Sequence, residues 1–129
     1  MKEIPELIKM AREAKSYAYT PYSKFNVGAA LLTNKGNVYT GSNVENASYG
    51  LTVCAERIAV FKAVTAGEKD FDTIVITASG KGYPYPCGAC LQVLAEFSPN
   101  MKVIVVDDQG DMEEFRLKDM LPQIFLLNQ

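Results

Sequence analysis

Two short segments bring together side chains that can do chemistry: Cys54-Ala55-Glu56-Arg57 and Pro86-Cys87-Gly88-Ala89-Cys90. A thiol, a carboxylate and a guanidinium within four residues can ligate a metal, move a proton and offset charge. The first segment opens a run in which Ala55, Ile58, Ala59, Val60, Phe61, Ala63 and Val64 leave almost no polar face, which predicts a buried helix. Glu56 then lies near the interior, where a carboxylate without a task is costly and its pKa rises. Taken alone, the segment also reads as a Glu56–Arg57 pair at a partly solvated helix start, because charges at helix ends are common. The second segment, taken alone, also reads two ways. A C-x-x-C at a helix start after a strand suits a thiol redox pair and suits metal binding equally well.

Counting narrows the choice. The chain has no histidine, which excludes Ser-His and Cys-His nucleophile pairs. It has three cysteines, Cys54, Cys87 and Cys90, an odd number that argues against a disulfide framework and for metal binding or a reactive thiol. The segments together place Cys54 and Cys87 in the first turns of two helices that follow the sheet. Adjacent helices can aim those turns at one point, with Cys90 close enough on the second helix to join. Three thiolates suit zinc and leave a fourth position open for water. A structural zinc site wants a fourth protein ligand, and no further cysteine or histidine exists to supply it, so the shortage points to catalysis. Glu56, two residues after one ligand, is placed to take the water's proton. Arg57 and two helix N-termini would offset the negative charge that three thiolates leave on the metal.

Positioning these residues requires a sheet and helices. Ile4, Leu7, Ile8, Ala11, Ala14 and Ala18 follow helical spacing, with Pro5 in the first turn, which predicts a helix from about Glu3 to Tyr17. Residues 25–33 and 36–44 read as strands joined by Asn34-Lys35-Gly36, a tight hairpin. Thr52 is the expected N-cap of the next helix and Gly67 its stop. Residues 72–79 read as a buried strand, 80–86 as a loop rich in turn residues, and Pro86 as the first position of a helix running to Phe97. Residues 102–117 read as strand, turn and strand, and 118–125 close the chain. Strands alternating with helices imply an α/β layered domain, and the two hairpins make its central sheet mixed.

At 129 residues, with 48% apolar and 22% charged side chains, the chain reads as one domain over 1–129 with a real core. A net charge of −2 without a Lys/Arg cluster gives no electrostatic footprint for nucleic acid or anionic membrane. The start "MKEIPELIKMAREAK" lacks the apolar core of a signal peptide, and no apolar run approaches the ~20 residues that span a bilayer. The expected location is the cytoplasm.

With cysteine in place of histidine, the segments carry the signature H-x-E…P-C-x-x-C and resemble the zinc-dependent nucleoside deaminases, specifically the small homotetrameric cytidine deaminases. "PYSKFNVGAALL", "GSNVENASYG", "CAERIAVFKAV" and "PCGACLQV" share that likeness and cover most of residues 18–97. The resemblance implies a three-layer α/β/α domain with a central mixed five-stranded sheet. It implies hydrolytic deamination of cytidine and deoxycytidine in pyrimidine salvage, with one zinc per subunit held by Cys54, Cys87 and Cys90. It further implies that Glu56 shuttles protons, Arg57 contacts the thiolates, Asn43 and Glu45 hydrogen-bond the ribose, Phe25 packs on the pyrimidine and the Ala55 amide lies near its carbonyl oxygen. The partner it implies is a pyrimidine nucleoside, with neither nucleic acid nor membrane. The Asp107–Asp111 connection is too short for the helix found between the last two strands of polynucleotide deaminases, which fits the free-nucleoside branch.

The tail adds to this. Ile124, Phe125, Leu126 and Leu127 form an uncharged apolar run that needs a cover, either its own subunit or a neighbour. In a homotetramer like those of the similar enzymes, Tyr49 and Phe125 would reach a neighbouring subunit's site. One departure is Leu91, where the family often has arginine. The rival within the same fold is a blasticidin-type aminonucleoside deaminase; a non-catalytic zinc or thiol-redox module has no use for Glu56.

Overall fold

In the computed structural model, which describes residues 1–127, five strands form one mixed sheet in the order β2-β1-β3-β4-β5. They are β1 (Val27–Thr33), β2 (Val38–Ser42), β3 (Phe71–Ala78), β4 (Lys102–Val106) and β5 (Met112–Arg116). The hairpin partners β1–β2 and β4–β5 are antiparallel, as is β1–β3, while β3 and β4 run parallel across a helical crossover. The helices are α1 (Ile4–Lys15), α2 (Ala55–Thr65), α3 (Gly88–Phe97) and the short α4 (Leu117–Met120).

The inner strands are covered on both faces, which is why they read as near-continuous apolar runs. Strand alternation sorts their side chains into two cores. On one face Leu31, Ile74, Ile76, Val103 and Val105 pack with Ala59 and Val60 of α2 and Leu94 of α3. On the other, Leu32, Val75, Ile104 and Val106 meet Leu7 and Ala11 of α1. Helices on both sides of a mixed five-stranded sheet make the three layers that the resemblance implied.

The helix starts differ from expectation by small, explicable steps. Cys54 rather than Thr52 is the N-cap of α2, with extended backbone at φ −76° and ψ 160°. Thr52 is retained by the preceding loop, where its Oγ1 accepts the Asn46 N–H at 3.3 Å, and Val53 pairs with Val44 in an isolated bridge. Cys87 likewise caps α3, so Pro86 precedes that helix instead of opening it. Both cysteines therefore stand at the helix mouths, one step before the first turns. Gly67 ends α2 as expected, at φ +93°. The expectation of a wholly buried α2 does not hold: Phe61 is 46% exposed on its outer side.

Gly41 sets how closely α2 approaches the sheet. A Cβ there would overlap the Ala55 carbonyl oxygen and stand 2.7 Å from the Ala59 nitrogen. Both obstacles are backbone atoms, which cannot rotate aside, and they belong to the turn that presents Glu56. Gly41→Ala is therefore expected to cost about 1–3 kcal/mol by overpacking and to weaken metal retention at the mouth of α2. Thermal melting and zinc content after dialysis check this; a variant matching wild type in both would show that α2 has room to move.

Candidate active site

The mouths of α2 and α3 open on the same side of the sheet, and their cysteines meet there. The sulfurs of Cys54 and Cys90 are in direct contact, and Cys87 Sγ lies 3.5 Å from Cys90 Sγ. Zinc–sulfur bonds of about 2.3 Å in a tetrahedron set thiolates about 3.8 Å apart, so the Cys87–Cys90 separation is near that of two ligands on one ion. The Cα atoms of Cys54 and Cys90 stand 7.3 Å apart. That exceeds the roughly 4.4–6.8 Å over which disulfides are built, so the backbone spacing suits shared ligation better than a covalent pair.

Glu56 completes the group. One of its carboxylate oxygens and the sulfurs of Cys54 and Cys90 all lie within 4.8 Å of one another. The residue is only 5% exposed, and burial raises its pKa, opposed by its own backbone N–H and by the charge of Arg57. A carboxyl so placed is protonated more readily than a solvated glutamate, which suits a group that must both take and return a proton. Arg57 donates from Nε to Cys54 Sγ at 3.3 Å and from its terminal nitrogen to the Thr52 carbonyl at 3.3 Å. Its positive charge is thus held against the Cys54 sulfur. Three sulfurs, a carboxylate and a compensating guanidinium fit a zinc ion.

This cluster forms the floor of a cavity of about 490 Å³. Phe25, Asn43, Glu56 and Arg57 line it together with all three cysteines. Phe25, 43% exposed, is offered to the cavity by an unusual turn: Lys24 holds φ 62°, and Ser23 Oγ accepts the Phe25 N–H at 3.0 Å. Its ring lies over Gly80, where a Cβ would come within 2.8 Å of Cε1. Asn43 is 8% exposed and holds the entry to β1, its Oδ1 accepting from Val27 N at 2.9 Å and its Nδ2 donating to the Phe25 carbonyl at 2.8 Å. Ala55 is fully buried at the first position of α2, where a backbone N–H has no partner within the helix.

Glu45 lies next door. It lines a second hollow of about 430 Å³ with Tyr22, Ser23 and Tyr49, and Thr52 borders both spaces. Its Oε1 accepts the N–H groups of Tyr22 and Ser23, each at 3.1 Å, and its Oε2 accepts the Ser23 hydroxyl. The Ser23 hydroxyl, ahead of the backbone donors, holds this carboxyl below its ordinary pKa. Tyr49, 76% exposed, stands edge-on to Tyr22 with ring centroids 6.1 Å apart. Phe125 lies outside the cavity too: its backbone is clasped by the Gln92 side chain of α3, at 2.8 Å and 3.3 Å, and the residue is 65% exposed. Leu91 is 6% exposed within the core beneath α3. Tyr83, Pro84 and Tyr85 also line the cavity and were not singled out from the sequence. Their position directly before Pro86-Cys87 was the available signal, but the run read only as a turn-rich loop.

Comparison with known proteins follows the same lines. The family described as "Cytidine and deoxycytidylate deaminase zinc-binding region" matches residues 1–107. A cytidine deaminase of Halalkalibacterium halodurans is 51% identical over 120 residues, covering 92% of this chain and 91% of that protein. The crystal structure of cytidine deaminase from Burkholderia pseudomallei superimposes with a TM-score of 0.92 at 46% identity, covering 96% of this chain and 100% of that one. A blasticidin-S deaminase of Bacillus cereus is less similar, 30% identical over 135 residues with 95% of this chain and 92% of that protein covered. With the match running from the N-terminal helix through both cysteine segments to β4, this chain belongs to the cytidine and deoxycytidylate deaminase family of zinc-binding enzymes.

Proposed function

We propose that this protein hydrolyses cytidine and deoxycytidine to uridine and deoxyuridine with release of ammonia, using one zinc per chain held by Cys54, Cys87 and Cys90. The observation that carries this reading is the buried Glu56 carboxylate within 4.8 Å of the Cys54 and Cys90 sulfurs, at the floor of a cavity. Zinc bound there supplies the Lewis acidity that makes water a nucleophile near neutral pH. Glu56 takes one proton of the attacking water and delivers it to pyrimidine N3 as the oxygen adds to C4. It then takes the second proton from the new C4 hydroxyl and passes it to the amine, so that the C4–N bond breaks, ammonia leaves and a carbonyl remains. Arg57 offsets thiolate charge. Phe25 packs on the pyrimidine face, the Ala55 N–H meets its carbonyl oxygen, and Asn43 and Glu45 bind the ribose. The hydrogen bonds already made by Asn43 and Glu45 fix their positions; each retains capacity for a hydroxyl.

The comparison with halodurans and pseudomallei cytidine deaminases supports cytidine over the aminonucleoside antibiotic. Ultraviolet assays of the zinc-loaded protein on cytidine, deoxycytidine, cytosine, blasticidin S and single-stranded DNA test the choice. Turnover of both nucleosides is expected; turnover of blasticidin S alone would transfer the assignment to the rival.

The same reading takes the protein as a cytoplasmic homotetramer of pyrimidine salvage. No helix among the described residues is long and apolar enough to cross a membrane. Support for assembly comes from the exposed Tyr49, Leu51, Phe61 and Phe125, and from Leu127 at 88% exposure, apolar surface that a monomer would leave in water. Of the tail's four apolar residues, Ile124 packs on the chain's own core. Removing residues 124–129 is expected to shift sedimentation towards smaller species and lower nucleoside turnover while zinc is retained. A fully active wild-type monomer would contradict the shared site.

A further inference from the structure

The cavity wall made by Tyr83, Pro84 and Tyr85 has no part in the reading above, yet it is the stretch that leads from β3 into Cys87. The Tyr85 N–H meets the Tyr83 carbonyl at 3.0 Å, closing a tight turn across Pro84. The Tyr85 ring stands 6.1 Å from that of Tyr83 and 6.0 Å, edge-on, from that of Phe115, which packs on the core. Its hydroxyl donates at 2.5 Å to Glu113 Oε1 on β5. Ring and hydroxyl are therefore both held, although the residue is 55% exposed and contributes little to the core. An exposed tyrosine anchored this way is a fixed boundary rather than a packing element.

The chemistry of the substrate says which boundary, if the deaminase reading above is correct. In a pyrimidine, N3 and C5 flank C4 on opposite sides. With C4 at the thiol cluster and N3 at Glu56 on α2, the C5 edge turns away from α2 towards the segment that enters α3. We propose that Tyr85, held by Glu113, is a specificity-determining residue that limits substitution at pyrimidine C5. Glu113 is a positioning residue acting through it. A methyl group at C5 needs the space that the anchored ring occupies, and pockets of this kind discriminate one such carbon by roughly 10–200-fold.

The test is kcat/KM for cytidine and 5-methylcytidine with zinc-loaded wild type, Tyr85→Ala, Glu113→Ala and Glu113→Gln. Tyr85→Ala is expected to raise the 5-methylcytidine to cytidine ratio by about tenfold or more. Glu113→Ala frees the ring and moves the ratio the same way by less, whereas Glu113→Gln keeps an acceptor for the hydroxyl and preserves the wild-type ratio. Competitive inhibition by 5-methyluridine against uridine reads the same order from binding alone. A Tyr85→Ala enzyme that turns over cytidine with an unchanged ratio overturns this proposal and leaves the deaminase assignment intact. Zinc-loaded wild type inactive on cytidine overturns both.

Discussion

Glu56→Gln is expected to keep its zinc and lose at least ~10²–10⁴-fold in kcat, the usual contribution of a general acid–base group. Glutamine matches the shape of the buried side chain, and the sulfurs of Cys54 and Cys90 around it are unchanged. What it cannot do is accept a proton. Burial, the chief cause, raises the pKa of Glu56, so the carboxyl is protonated more readily than a solvated glutamate, as the proposed two-way transfer requires. Removing that capacity therefore strikes both proton transfers. Metal analysis and steady-state kinetics on the same preparation separate the two contributions. Near-normal turnover in the zinc-loaded variant would remove Glu56 from the mechanism.

The second large effect is on the thiols. Serine at position 54, 87 or 90 is expected to reduce bound zinc to a small fraction of the wild-type content, with nucleoside turnover falling in step. Cys87 makes a sharper test without mutation, because it is an exposed residue. An exposed free thiol reacts readily with a mild alkylating reagent. As a ligand, Cys87 should instead stay protected until a chelator is added, after which all three cysteines become reactive. A Cys87–Cys90 disulfide isolated from fully active enzyme would contradict the metal assignment and favour a redox pair.

How far the sequence disclosed this site depends on the range of each interaction. Cys54, Glu56, Arg57, Cys87 and Cys90 were legible because their chemistry is compressed into two short segments whose meeting needs only two adjacent helix mouths. The sheet was legible because β-branched runs and hairpin turns are local signals. The helix mouths were misread by small steps, since Thr52 is a good cap in isolation and the competing Asn46 bond was invisible. Tyr85 was missed for a deeper reason: its partner Glu113 is 28 residues away on an edge strand, and no local pattern links them. Gly41 shows the same limit, being an ordinary strand glycine until α2 is laid across it. Asn43 and Glu45 matched their motif, but only the fold reveals that each also holds the backbone that presents Phe25 or Ser23.

The most direct test of the central claim is a zinc titration of metal-free protein, with cytidine loss followed by ultraviolet absorbance and ammonia measured in parallel. Activity should rise in proportion to bound zinc and break at one ion per chain, with one ammonia released for each cytidine consumed. Full cytidine turnover by zinc-free protein, or none when every chain holds an ion, would contradict the account.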